Sequence, residues 1–193
     1  MNLSKILSYV VLAIAAVLAY FLVDGIKFKI DETERIAQIE ERVIEKLKMI
    51  RDAQKAYQSS NGQYTDNWDS LLNFIETGKI WIIERKETTT LLDYGQEEIT
   101  VTYDTLGSVP VMDSLFSADK VPNFRLETLP IIPGSNGKRF ELFADKIEKS
   151  GVMVSVFEVR DVAPVNPARR KNNNEKALRV GSRTDVSTAG NWE

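Results

Sequence analysis

Eighteen consecutive positions, residues 6–23, read ILSYVVLAIAAVLAYFLV without a single charge. As a helix rising 1.5 Å per residue, the run is long enough to cross a bilayer's hydrocarbon core, roughly 30 Å thick. Ile6, Val10, Ile14, Val17 and Phe21 sample it from end to end. Asp24 closes the run, and Lys27 and Lys29 follow where lipid headgroups would lie. Tyr9, Tyr20 and Phe21 stand towards its ends, where aromatic rings settle in membranes. A cleaved secretory signal has an apolar stretch of roughly 7–15 residues and a small-residue cleavage site. This run is longer, and no A-x-A site follows it. The pattern predicts a single membrane anchor. Ala15, Ala16 and Ala19 place small side chains near one helix face, a candidate contact between anchors.

The pattern then becomes amphipathic. Ile36, Ile39, Val43, Leu47, Ile50, Ala53 and Tyr57 recur at steps of three and four, which lines them along one helix face. Glu, Arg, Lys and Gln fill the intervening positions. Asp24-Gly25 reads as a break between anchor and stripe, Asp31 as a cap with Glu34 three positions on, and Gly62 as the end. The stripe has two readings: packing on this chain's own sheet, or a coiled coil with another chain.

A short helix is expected over residues 66–76, capped by Thr65 or Asp66 and closed by Gly78. Strand signals follow. Residues 80–83 and 99–103 are β-branched and aromatic, with a mobile connection over 86–98. Residues 106–116 are ambiguous between extended chain and a helical turn. Residues 123–132 read as a strand, and 140–162 as a hairpin turning at Ser150-Gly151. The pattern predicts an α+β fold in three parts: an anchor over 1–30, a domain over 31–162, and a Pro/Asn/basic connector and tail over 163–193. Leu178, Val180 and Trp192 are the tail's apolar groups.

Composition narrows the chemistry. The chain holds no histidine and no cysteine. Thiolate catalysis, disulfides, Cys-based zinc sites and the commonest general base are therefore excluded. A net charge of -3 gives no electrostatic reason to expect nucleic acid. A serine–lysine pair would have to use Ser108 or Ser114, and no helical lysine stands at a telling spacing from either. Evenly spread acids nominate no catalytic carboxylate pair, and Asp93 with Glu97-Glu98 lacks the oxygen spacing of a calcium loop. Pro133-Gly134-Ser135-Asn136-Gly137 opens no helix, so it reads as a turn and not a phosphate cradle. Arg169-Arg170-Lys171 reads as solvated charge. No catalytic, cofactor-binding or metal-binding residue is nominated.

The anchor, the amphipathic helix and the stretch AQKAYQSSNGQYTDNWDSLLNFI (residues 53–75) resemble the N-terminal half of a type IV pilin or pseudopilin. The prepilin signal, a glycine then an aromatic residue with glutamate four positions on, is absent ahead of Ile6. Processing and filament polymerisation are therefore not carried over. The whole chain, including DTLGSVPVMDSLF and the GNWE ending, also resembles an uncharacterised family of anchored envelope proteins of Bacteroidota. That family brings no activity with it; the pilin-like layout implies a non-enzymatic structural or accessory subunit of an envelope assembly, secretory or filament-related, with protein partners or further copies of itself. It places the N-terminus in the cytoplasm and the main domain outside the inner membrane, against the weak lean of the lysine and arginine count. A periplasmic module that binds a ligand or peptidoglycan is the second expectation, and an anchored hydrolase the third.

Overall fold

The computed structural model describes residues 3–91, 97–170 and 176–193. The chain is α+β. Helix α1 (Leu3–Asn61) is followed by α2 (Trp68–Thr77), strands β1 (Lys79–Leu91) and β2 (Glu97–Pro110), and α3 (Val111–Leu115). Then come β3 (Glu141–Lys149), β4 (Val152–Arg160), α4 (Pro167–Arg170) and β5 (Arg179–Gly181).

The break expected at Asp24-Gly25 does not occur, and Asp31 caps nothing, because α1 runs through both positions. A helical glycine costs about 1 kcal/mol relative to alanine, too little to interrupt a helix with many turns on either side. Thr33 Oγ1 donates to the Lys29 carbonyl at 2.8 Å, as a hydroxyl inside a helix does. Gly62 ends α1 as expected, at a φ of 76° with its N–H on the Gln58 carbonyl.

Two compact units partition the chain, residues 1–42 and 43–193. The first is helical, and its apolar side chains from Val10 to Ile30 are exposed. Its mean hydropathy peaks at 2.1 over a window of which 0% is buried, so this helix is long and apolar enough to span a membrane.

The second unit holds the core. Val43, Leu47, Ile50, Ala53 and Ala56 of α1 are buried together with Leu71 and Ile75 of α2, Val156, Phe157 and Val159 of β4, and Leu178 and Val180 of the tail. Asn67, not Thr65 or Asp66, caps α2, its Oδ1 accepting from the Asp69 and Ser70 N–H groups at 2.8 and 3.2 Å. Asn67→Ala should cost about 1 kcal/mol, read as a small drop in the urea midpoint at constant slope.

Two antiparallel sheets form, β1-β2 and β3-β4-β5. The expected hairpin at Ser150-Gly151 is present, both residues turning at positive φ. Residues 86–91, expected in a mobile connection, instead extend β1, because each pairs across to β2. Residues 92–96 of that connection lie outside the described residues. The strand expected over 123–132 is replaced by a 3₁₀ turn (Leu126–Thr128) and an isolated bridge between Ile131 and Arg139. Lys46 explains the irregularity. Its ammonium reaches the carbonyls of Thr128 and Ile131, the latter at 2.8 Å, taking acceptors a strand would need. Burial pushes that ammonium's pKa down from the usual lysine value.

The tail, separated from the domain in the sequence reading, supplies β5 to the sheet. Gly181 permits it. At a φ of 80°, a Cβ there would lie 2.2 Å from the Phe157 carbonyl oxygen, so only glycine fits.

Candidate functional site

The anchor positions Val10, Ile14, Val17 and Phe21 lie exposed along α1, and Ile6 lies in the same helix. Ala15, Ala16 and Ala19 are exposed on it as well. Within the amphipathic face, Ile39, Val43, Leu47, Ile50 and Ala53 are buried, while Ile36 and Tyr57 are half-buried. Tyr57 packs edge-to-face on Phe74 with ring centroids 5.2 Å apart.

The catalytic alternatives gain no geometry. Lys120 bonds the backbone carbonyl of Ser114, not its hydroxyl, and Ser108 sits on β2 opposite Trp81. Among the described residues no group of three or more carboxylates is placed to hold a metal. Asp93 lies outside the described residues, as do Lys171 and Asn172-Asn173-Asn174.

Two features stand out, both in the second unit. The first is the β1-β2 ribbon, which pairs with no other strand among the described residues. At about 3.3 Å per residue its strands extend about 40 Å. Register sorts its side chains by face. Trp81, Ile83, Arg85 and Glu87 share one face with their partners Ser108, Thr105, Tyr103 and Val101, and Ile99 continues it opposite Thr89. The other face carries Glu84, Lys86 and Thr88 opposite Asp104, Thr102 and Thr100. A bulge between Ile82 and Ile83 leaves Leu106 without a partner. The first face is apolar yet open to solvent, with Trp81 57%, Ile83 57%, Ile99 60% and Tyr103 70% exposed. Arg85 and Glu87, ion-paired to each other, sit in its middle.

The second feature is a cavity of about 1020 Å³ at the end of the three-stranded sheet. The Pro133–Gly137 turn expected from sequence forms one side, with Gly134, Ser135 and Asn136 lining it. Loop residues 161–165 and α4 form another. Ser135 is buried and its hydroxyl donates to the Ile132 carbonyl at 2.7 Å, which holds the turn shut. Lys138, Arg160, Arg169, Arg170, Lys176 and Arg179 bring six cations to the lining, against the carboxylates of Glu158 and Asp161.

Both carboxylates are engaged. Glu158 is 3% exposed on the central strand β4, where β3 and β5 flank it. Its oxygens accept from Arg179 at 2.6 Å and Arg183 at 2.9 Å. The Glu158 hydrogen bond in turn raises the Arg183 pKa above its usual value. Arg183 also lies 4.7 Å over the Phe143 ring and 3.1 Å from Glu141. Asp161 accepts the Ala163 N–H at 2.8 Å.

The sequence reading singled out Arg169 and Arg170 but missed Arg160 and Arg179, which sheet register brings together, and Lys138 and Lys176, which loops contribute. The ribbon's apolar alternation was readable. That no other described element covers it was not. No protein family, curated protein or solved structure matches this chain.

Proposed function

We propose that this protein is a non-enzymatic, membrane-anchored structural or accessory subunit of a bacterial envelope assembly. Its α1 helix crosses the inner membrane with the N-terminus in the cytoplasm, and its second unit associates laterally with further copies outside it. The observation that carries this reading is the apolar ribbon face, left open by the chain that makes it.

A two-stranded ribbon alone is marginal in water, and exposed apolar patches of this kind mark contact surfaces. A second copy is the fitting occupant. Arg85 and Glu87 stand two residues apart in the middle of the apolar row, so a two-fold arrangement brings each against its opposite. One face of a two-stranded ribbon is narrower than a standard interface, which takes about 800 Å² from each side. Confinement of both copies to one bilayer by their anchors supplies the missing effective concentration.

The full chain, reconstituted in nanodiscs or liposomes, should crosslink as a dimer or higher species. Trp81→Ser combined with Ile83→Thr should lower that association about tenfold or more, since each substitution removes apolar burial worth more than 1 kcal/mol. The thermal midpoint of the second unit should stay in place, because neither side chain belongs to its core. A protein that stays monomeric at high density in the bilayer would sink the proposal. Stoichiometric recovery with a different subunit, lost in the same variant, would keep the assembly role and replace the second copy as occupant.

A further inference from the structure

The cationic cavity has no part in the assembly role and shares no residue with the ribbon. We infer that it binds a compact ligand bearing phosphate groups. Register supplies the strongest reason. Arg160 of β4 and Arg179 of β5 are direct cross-strand partners, so two guanidinium-bearing side chains stand on one face opposite each other. Like charges so placed oppose sheet pairing unless an anion lies between or beside them. Glu141, the partner of Arg160 on β3, offsets that charge only in part, because Arg183 holds the same carboxylate at 3.1 Å. Glu158 is held by Arg179 and Arg183, and the one ion pair of Arg160 among the described residues is a loose 3.5 Å approach to Glu141.

Lys138 adds a further charge. Its side chain is exposed, and among the described residues its ammonium makes no hydrogen bond or ion pair. Val162, Ala163, Pro164 and Val165 also line the cavity, and Arg170 is fixed there by the Pro164 and Val165 carbonyls at 2.6 and 2.8 Å. Guanidinium groups match phosphate in planar, two-point fashion. The volume of about 1020 Å³ stands at the upper end of ordinary ligand pockets, larger than one inorganic phosphate needs. The ligand therefore carries more than a bare anion: a diphosphate, a phosphorylated saccharide or a phospholipid headgroup.

The test uses the full chain in phosphatidylcholine nanodiscs and two probes, pyrophosphate and a short-chain phosphatidylglycerol. At least one should bind saturably, with affinity falling steeply as salt rises. Lys138→Gln with Arg160→Gln should weaken binding about tenfold or more while the melting temperature stays or rises, because one of the facing cations is gone. Lys48→Gln with Lys55→Gln, which removes equal charge from exposed positions of α1, should leave binding in place. Pyrophosphate alone binding identifies a soluble phosphate ester, and phosphatidylglycerol alone identifies a lipid headgroup; either supports the site. Binding of neither probe at millimolar concentration overturns it. So does an equal loss in the two double variants, which would reduce the effect to overall charge.

Discussion

Ile50→Asp is expected to unfold the second unit. Ile50 is fully buried on α1, among residues that α2, β4 and the tail all help to enclose. A carboxylate there would leave water for the core, and burying a charge in that way costs several kcal/mol. Since a domain of this size is stable by roughly 5–15 kcal/mol, the substitution takes most of the margin or all of it. Ile36→Asp makes the comparison, because Ile36 is half-buried and its carboxylate can reach water. Near-ultraviolet circular dichroism of the full chain in mild detergent, reporting Trp68, Trp81 and Trp192, should collapse for Ile50→Asp and persist for Ile36→Asp. Equal loss in both would mean that the whole stripe is structurally essential. Retention in both would assign the stripe to a contact with another chain.

Gln54→Leu should be nearly as damaging, for a different reason. Gln54 is a fully buried polar side chain on the core-facing part of α1. Its amide closes a ring with one residue: Nε2 donates to the Thr65 carbonyl at 2.6 Å, and Oε1 accepts the Thr65 N–H at 3.2 Å. Leucine preserves the volume and abandons both backbone groups. Each orphaned group costs about 1–3 kcal/mol, so the expected loss is on the order of 2–6 kcal/mol. Urea unfolding measures it, and hydrogen exchange at the Thr65 amide locates it. Exchange at that amide should accelerate well beyond the global change. Unaltered protection there would mean that the loop after α1 is held by something other than Gln54.

What could be read in the sequence was whatever repeats locally. The spacing of Ile39, Val43, Leu47, Ile50 and Ala53 announced a buried face, and Ser150-Gly151 between alternating strands announced a hairpin. What could not be read depended on distant partners. Residues 123–132 carry strand-like composition, yet Lys46, some eighty positions earlier in sequence, claims two of their carbonyls. Leu178 and Val180 are too few to declare a strand, and only the register of residues 179–181 against β4 makes one. The cavity was hidden for the same reason: Arg160 and Arg179 are nineteen positions apart and become neighbours only across a ladder. Gln54 gave no sign either, since a glutamine beside Lys55 reads as surface until the loop folds over it.

The ribbon's base has a consequence for how the protein can vary. Strands β1 and β2 leave and re-enter the body at adjacent points, with Lys79 paired to Pro110 and the Val111 N–H on the Gly78 carbonyl at 3.0 Å. The residues between form an excursion whose length the core never measures. Because strand side chains alternate with a period of two, the ribbon can lengthen or shorten at its tip by one residue on each strand without turning its remaining apolar row over. Reach and interior are thus separately heritable: a lineage could tune how far the contact face projects while every buried position stayed as it is.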